Sequence, residues 1–320
     1  MSRQRPGRIT RFTFANEHFD IDVAVQGPLP APPTAPTDCV ICRLPRRPNT
    51  DRMRHIDLGA EAQPGYLLGR DAETHYIVLA DYAVLAISDD GGSVGYWVSA
   101  EIDDAYVSHL VLDHALPTRL GVMGRTALHG TAVAIGCVAV AFVGPTGNGK
   151  STLAAGFAGA GFPLLADDCL VVERREGRQW VVPTYPGTRL AADALRHLQD
   201  GMAEHLVPIS LDYPKYLLTP DNTAFRFSDE TLPLAAIIFV ARARIKRPRM
   251  QRVEPMDALT RLLGQSWYTE ATGPDLIDLI DRTGALVDDV ATHELVSTRV
   301  IGQLADSRQL VIDTIHALPQ

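Results

Sequence analysis

The chain has 320 residues, 46% of them hydrophobic, so it can bury a substantial core and is long enough for two domains. Its 30 basic and 38 acidic residues give a net charge of −8, which argues against generic binding to nucleic acid or to a membrane surface. No apolar run is long enough to span a bilayer, and four cysteines are too few for a disulfide framework, so we expect a cytoplasmic protein with reduced thiols.

The first 120 residues are predicted to form an N-terminal module that is rich in antiparallel strands. Period-two alternation predicts strands at 11–14 and 19–23, and apolar runs, the last two separated by a turn signal, predict strands at 76–79, 82–87 and 94–98. The last three form a meander, and residues 102–116 then carry apolar side chains at helical spacing. Nothing in these residues identifies what the module binds.

Two segments of this module have distinctive compositions. The proline-rich segment at 28–36 cannot form a central strand or a helix, and we interpret it as an exposed connector. Cys39 and Cys42 have the C-x-x-C spacing of half a zinc site or of a redox pair. His55 is the nearest further ligand, so neighbouring residues do not complete a four-ligand site, and we predict no metal there.

Residues 131–143 form two apolar runs that break at Gly136 and Cys137, a pattern that predicts a β-hairpin. A two-residue turn at this break would place His129 opposite Gly144. A histidine beside a strand is commonly structural, and a slip of one residue in the register would turn it to the other face. A structural and a functional interpretation of His129 therefore both stay open at this point.

The hairpin leads into a segment that fits the pattern G-x-x-x-x-G-K-[ST] of a phosphate-binding loop. Its glycines let the backbone approach a polyphosphate, Lys150 would reach the β- and γ-phosphates, and the Ser151 hydroxyl would bind Mg²⁺. A helix predicted over 151–160 adds its dipole to the anion site. The motif predicts ATP and Mg²⁺ as ligands. The candidate nucleotide-binding residues are Gly144, Pro145, Thr146, Gly147, Asn148, Gly149, Lys150, Ser151 and Thr152.

Asp167 and Asp168 close a short apolar strand predicted at 164–166. Because ligands of open α/β sheets bind outside the carboxyl ends of strands, we expect this pair to face the same phosphates. One carboxylate suits Mg²⁺, and a second suits a base that takes a hydroxyl proton during phosphoryl transfer. The alternative is an ordinary strand end in a solvated turn, and the nearby loop favours the functional interpretation.

Further along the chain, three features are candidates for contacts with anions. Arg189 lies in a predicted turn at 185–190, before a predicted helix at 191–199, where it would either neutralise a transferred phosphoryl group or lie in solvent. Lys215 is a candidate for a phosphate or peptide-carboxylate contact. Residues 242–249, after a predicted central strand at 234–240, carry five cations in eight residues. They suit an acidic peptide or the ATP phosphates, but a charged strand end in water is the preferred interpretation.

The rest of the C-terminal region is predicted to be packing material. Amphipathic helices are expected at 257–263, 275–280 and 300–317, with a strand-like patch at 295–301.

Three segments together resemble the catalytic core of the HPr kinase/phosphorylase family: Leu128-His129-Gly130, the G-P-T-G-N-G-K-S loop, and Ala166-Asp167-Asp168. The resemblance is greatest to relatives encoded with lasso-peptide biosynthesis genes, which phosphorylate a precursor peptide on its C-terminal serine. It is clear over about residues 125–190. It implies an α/β (α+β) fold, with a phosphoenolpyruvate-carboxykinase-like P-loop core at 121–320 and the smaller β-rich module at 1–120.

The resemblance also implies a function and roles for the site residues. It implies an ATP-dependent serine kinase in which Asp168 accepts the hydroxyl proton, Ser151 and Asp167 hold Mg²⁺, and His129 orients the carboxylates or the γ-phosphate. The roles of Asp167 and Asp168 could also be exchanged.

The expected partner is a precursor peptide or a small protein. An HPr-type protein kinase and a small-molecule kinase acting on serine or a sugar are the alternatives. Residues 242–249 lack the Arg-Pro-Gly-Arg-Asn pattern of bifunctional members, so phosphorylase activity is not expected. We expect a homo-oligomer only because members of this family form hexamers.

Overall fold

The computed structural model describes residues 9–25, 29–56, 65–198, 206, 209, 215–267, 274–298 and 300–318. The chain has a mixed α/β architecture and divides into two compact units, with the boundary between Gly124 and Arg125. Among the described residues, no helix is both long and apolar enough to cross a membrane.

The described N-terminal residues form one nine-stranded sheet in the order β3-β1-β2-β4-β9-β8-β7-β6-β5. The predicted meander of β7, β8 and β9 is confirmed, but the sheet is not purely antiparallel. β4 inserts between the first hairpin and the meander and pairs in parallel with both β2 and β9. The strands are β1 (Thr10–Phe14), β2 (Glu17–Ile21), β3 (Leu29–Pro30), β4 (Cys39–Arg43), β5 (Arg54–Ile56), β6 (Tyr66–Arg70), β7 (Thr74–Leu79), β8 (Ala83–Ser88) and β9 (Ser93–Val98).

The C-x-x-C pair lies on β4, where its two thiols do not share a site. Cys39 is buried and Cys42 is exposed, because residues three apart on a strand point to opposite faces. The described residues contain no cluster of three or more His, Cys, Asp or Glu side chains that could hold a metal.

The proline-rich connector is in part a strand. Pro28 lies outside the described residues, but Leu29 and Pro30 pair with β1 at the edge of the sheet, a position that tolerates proline.

The predicted helix at 102–116 is longer than expected. It comprises α1 (Asp104–Leu110), a π-helical segment (Val111–Ala115) and α2 (Leu116–Val122). His109 of this helix is buried, with its Nδ1 2.5 Å from Asp113 Oδ2. Arg119 is also buried and pairs with Glu17, and its Nε donates to Gly91 O, so it joins this helix to the sheet.

The second unit contains a mixed sheet with helices on both faces, and a separate two-stranded hairpin of β15 and β16. Its strands are β10 (Thr126–Ile135), β11 (Val138–Val143), β12 (Leu164–Ala166), β13 (Cys169–Arg175), β14 (Arg178–Val182), β15 (Thr188–Ala191), β16 (Lys215–Leu218), β17 (Leu232–Ala243), β18 (Arg249–Arg252) and β19 (Ala291–Thr298). Its helices are α3 (Lys150–Ala158), α4 (Ala192–Leu198), α5 (Pro255–Leu263), α6 (Pro274–Asp289) and α7 (Leu304–His316), with a 3-10 turn at Ile301–Gln303.

Several predicted boundaries need correction. Arg189 lies in β15 rather than in a turn, and α6 is much longer than the predicted helix at 275–280. The predicted strand at 295–301 starts earlier, at Ala291, and residue 299 lies outside the described residues. The helix predicted at 191–199 is α4, and residue 199 also lies outside the described residues.

The hairpin of β10 and β11 has the predicted register. Gly130 pairs with Val143, so His129 lies one residue beyond this ladder, beside the start of the loop. The φ of 62° at Gly136 lies in the left-handed region that a tight two-residue turn requires. The prediction that an antiparallel hairpin precedes the loop is confirmed.

The strand register also fixes which strand ends meet. Ala132 of β10 pairs with Ala141 of β11 on one side and with Ala166 of β12 on the other. β11 and β12 therefore run in the same direction and end at the same edge of the sheet. β17 is parallel to β11 on its other side and ends there too. This edge carries the loop and the paired aspartates.

Alternation along the strands produces one hydrophobic core on each face of the sheet. On one face, Val140 and Phe142 of β11 pack with Leu153 and Phe157 of α3 and with α7. On the other face, Ala139 and Ala141 pack with α5 and α6. Leu153 and Phe157 lie one turn apart on α3, and their packing fixes α3, and hence the loop before it, on the sheet.

A glycine in β10 tests how tightly this hairpin is packed. A Cβ at Gly130 would lie 2.9 Å from the backbone oxygen of Phe142, so Gly130→Ala should lower the unfolding free energy by about 1–3 kcal/mol. Gly284 of α6 has no atom within 4 Å of the equivalent position, so Gly284→Ala should raise it by about 0.5–1 kcal/mol. Urea unfolding of both variants measures the difference, and equal stability of the two would contradict this packing.

Candidate active site

The loop between β11 and α3 has a backbone shape that its glycines permit. Gly144, Gly147 and Gly149 have φ values of 143°, 85° and 91°, in the region that favours glycine. Gly149 caps the N-terminus of α3. A side chain at any of the three positions would therefore strain the backbone, which explains the spacing of glycines in the motif.

Lys150 folds back over this loop. Its Nζ donates to Gly144 O at 2.7 Å and to Pro145 O at 3.3 Å. Burial of the ammonium lowers its pKa to about 8, against the opposing effect of the nearby aspartates. The lysine charge is therefore held among the atoms of the loop rather than in solvent.

Asp167 is fully buried and is held by three donors. Ser151 Oγ donates to Asp167 Oδ1 at 2.9 Å, Thr188 Oγ1 donates to Oδ2 at 2.7 Å, and the Arg189 backbone N–H donates to Oδ2 at 3.0 Å. Burial and then the charge of Asp168 raise the pKa of Asp167 to about 6. The loop hydroxyl and this carboxylate thus form one group of hard oxygen donors, the type that Mg²⁺ prefers.

Asp168 has an unusual backbone conformation. Its φ of 61° lies in the left-handed region, which Asp tolerates better than most residues. Trp267 Nε1 donates to its carbonyl oxygen at 3.3 Å, and His129 also makes a hydrogen bond with its backbone. Non-glycine residues in this region are enriched at functional sites, where the surrounding structure holds them.

His129 lies between the loop and Asp168. Its Nε2 is 3.4 Å from Thr146 Oγ1, and its ring meets the Trp267 ring edge-on at a centroid distance of 5.7 Å. Burial, followed by the charge of Lys150, lowers the pKa of His129 to about 4. The imidazole is therefore neutral at pH 7, which suits a positioning role better than charge neutralisation.

Arg189 reaches the site through its main chain. Its buried guanidinium contacts the Tyr185 hydroxyl and lies 5.5 Å from the centre of that ring. Its backbone N–H is the group that contacts Asp167. Neutralisation of a phosphoryl group by the guanidinium stays a prediction.

Lys215 approaches the same site from the first residue of β16. Its charge lowers the pKa of His129, Lys150 and Asp167, so its ammonium lies within electrostatic reach of all three. Its partner across the hairpin is Ala191 of β15. A substrate contact by Lys215 remains a prediction.

Two residues of the site carry no sequence signal. Thr188 is buried and supports Asp167, but threonine at the start of a strand belongs to no motif. Trp267 is brought to Asp168 by an isolated bridge between Leu128 and Ser266, which joins residues far apart in the chain. Only the tertiary structure identifies either residue.

No protein-family model and no curated protein matches this chain. Among solved structures, the chain is similar to the Hpr(Ser) kinase/phosphatase from Coxiella burnetii, with a TM-score of 0.30 and 12% sequence identity. The similarity covers 59% of this chain and 95% of that chain. Similarity at this level does not indicate the activity of this chain.

The hydrogen bond from Thr188 to Asp167 can be tested by its effect on the free energy of unfolding. Thr188→Val keeps the shape but removes the hydroxyl donor, so it should lower the unfolding free energy by about 1–3 kcal/mol, the penalty for a buried group that loses its partner. Thr188→Ser keeps the hydroxyl and is the matched control. Chemical denaturation at pH 7.5 compares the two, and a valine variant as stable as the serine variant would contradict the role of this hydrogen bond.

Proposed function

We propose that this protein is an ATP-dependent kinase that transfers the γ-phosphoryl group to a hydroxyl. The contact between Ser151 Oγ and Asp167 Oδ1 carries the proposal, because it joins the hydroxyl of a phosphate-loop motif to a pair of carboxylates at the same edge of the sheet. The arrangement agrees with the HPr-kinase-like core that the sequence resemblance implies, and that likeness is part of the proposal.

The loop and two nearby cations would bind the phosphates of ATP. The backbone N–H groups of the loop and of the first turn of α3 favour an anion, and Lys150 contributes its charge. Ser151 and Asp167 would hold Mg²⁺, which would neutralise charge on the phosphate oxygens. Lys215 is close enough to add to the positive potential of the site.

Asp168 is assigned as the base. The acceptor hydroxyl gives its proton to the Asp168 carboxylate while its oxygen forms a bond to the γ-phosphorus, and the bond to the bridging oxygen breaks, leaving ADP. The hydrogen bonds from Trp267 and His129 to the backbone of Asp168 fix the position of this residue. Such positioning and charge neutralisation are the main sources of acceleration in phosphoryl transfer.

The acceptor is the least constrained part of the proposal. The resemblance favours the C-terminal serine of a lasso-peptide precursor, and an HPr-type protein or a small hydroxyl compound such as serine or a sugar would suit the same chemistry. Self-association is likewise expected from the resemblance alone. A nucleotide-binding scaffold without activity is disfavoured, because such a scaffold has no need of a second carboxylate in a left-handed backbone conformation.

The first test is phosphotransfer followed by mass spectrometry. The protein is given Mg-ATP with a lasso-precursor-like peptide ending in serine, with HPr and with free serine, in parallel. We expect one phosphate on one of these acceptors and a rate about 10²- to 10⁴-fold lower for Asp168→Asn, the range that loss of a general base costs. Asn also tolerates the left-handed conformation, so this variant should fold.

The controls separate catalysis from binding. Asp168→Asn should still bind Mg-ATP, whereas Lys150→Ala should lose both binding and transfer. Asp229→Asn, at an exposed position, is the matched control and should keep full activity. Near-normal turnover by Asp168→Asn would remove the base assignment, and absence of ATP binding by the unaltered protein would overturn the proposed function.

The role of His129 can be tested separately. His129→Ala removes the contact with Thr146 and the hydrogen bond to the Asp168 backbone, so kcat should fall by about 10- to 100-fold while the affinity for Mg-ATP changes little. Because the imidazole is already neutral at pH 7, the loss should be equal at pH 6.5 and pH 8. An unchanged kcat would show that His129 has only a structural role.

A further inference from the structure

Arg242, at the end of β17, packs directly against the phosphate-loop motif. A Cβ built on Gly149 would lie 2.3 Å from Arg242 Nη2 and 2.7 Å from its Cζ, so the guanidinium occupies the space that a side chain at this glycine would fill. All five cations of residues 242–249 are exposed, Arg242 included, as the preferred interpretation of this basic segment predicted. Arg242 differs from the other four because its charged group also packs against the loop.

The carboxyl end of β17 is also fixed to the loop by polar contacts. Asn148 Nδ2 donates to Val240 O at 3.1 Å, and a Cβ at Gly144 would come within 3.0 Å of the same oxygen. Both ends of the loop therefore lie against Val240, two residues before Arg242. These contacts with Val240 therefore fix the backbone of β17, and with it the position of Arg242, relative to the loop.

The exposed guanidinium of Arg242 lies in positively charged surroundings. Gly149 caps the N-terminus of α3, where the helix dipole is positive, and the next residue is the buried cation Lys150. In the part of the chain that the structure describes, no carboxylate forms an ion pair with Arg242. Arg242, Lys150 and the N-terminus of α3 together create a positive potential at the loop, which favours a multiply charged anion.

The strand order indicates which part of such an anion Arg242 would meet. β12, which carries Asp167 and Asp168 at its end, lies on one side of β11 beyond β10, and β17 lies on the other side. The loop therefore lies between the paired aspartates and Arg242. If the transferred phosphoryl group faces the aspartates, as the proposed function requires, the other end of the nucleotide faces Arg242.

We propose that Arg242 binds the part of ATP that becomes ADP, through the α- and β-phosphates, and so holds substrate and product alike. This inference rests on the proposed kinase function and adds a specific nucleotide contact to it. A contact that is equal before and after transfer lowers KM without raising kcat. Arg242 is thus a binding residue, in contrast to Asp168.

Calorimetric titration with Mg-ADP and Mg-ATP tests the assignment. Arg242→Ala should weaken both nucleotides by about 10- to 100-fold and by similar factors, the range for a charge-assisted contact. Arg242→Lys should lie between this variant and the unaltered protein. Arg244→Ala removes the same charge two residues further on, at an exposed position, and should change either affinity less than about threefold.

The outcomes are distinguishable. Equal losses for ADP and ATP in Arg242→Ala, with kcat retained and KM raised, support the assignment. A loss confined to ATP would place Arg242 at the γ-phosphate, and unchanged affinities, or equal effects of Arg242→Ala and Arg244→Ala, would also overturn it. If the unaltered protein binds neither nucleotide, the proposed function itself fails.

Discussion

The buried carboxylate of Asp167 is the constraint on which the site depends. A carboxylate removed from water without a cationic partner is costly, by several kcal/mol even after relaxation, unless its oxygens receive hydrogen bonds. Asp167 receives them from Ser151, Thr188 and the Arg189 backbone, which belong to α3 and β15. The need to satisfy one carboxylate therefore holds the loop helix, β12 and the β15 hairpin in a single arrangement. A divalent cation among these oxygens would relieve the remaining electrostatic cost.

Charge is distributed asymmetrically across the loop. The two aspartates lie at one end, Arg242 lies at the other, and Lys150 lies between them. The pKa of Asp167 is raised and that of Lys150 is lowered, and burial is the largest cause in both, so each charge is held where its ionised form is disfavoured. Perturbed groups of this kind concentrate at functional sites. A phosphate ester with bound Mg²⁺ would complement both ends of the arrangement.

Local sequence predicted the parts of the site that are contiguous in the chain. The turn at Gly136, the spacing of the loop glycines and the apolar strand before them are short-range signals, and they gave the hairpin register correctly. Thr188 and Trp267 reach the aspartates through pairings between distant segments, which periodicity does not encode. The same limit applies to β4, which was not predicted as a strand and which pairs in parallel with two strands from distant parts of the chain.

The contact of Arg242 with the loop shows why the basic composition of residues 242–249 does not by itself predict which cation lies there. Residues 242–249 carry five cations in eight residues, and the register of β17 determines which of these cations meets the loop. That register changes at one point: Ala139 pairs with Leu234, but Val140 pairs with Ala236, so Ala235 is an extra residue. After this bulge, Ala236, Ile238 and Val240 face the α3 side, and Arg242 continues the same alternation. If the Ala139–Leu234 register continued without this bulge, Ala241 would stand where Arg242 lies, so a single β-bulge assigns a cation to the loop, in keeping with the frequent occurrence of bulges beside functional sites.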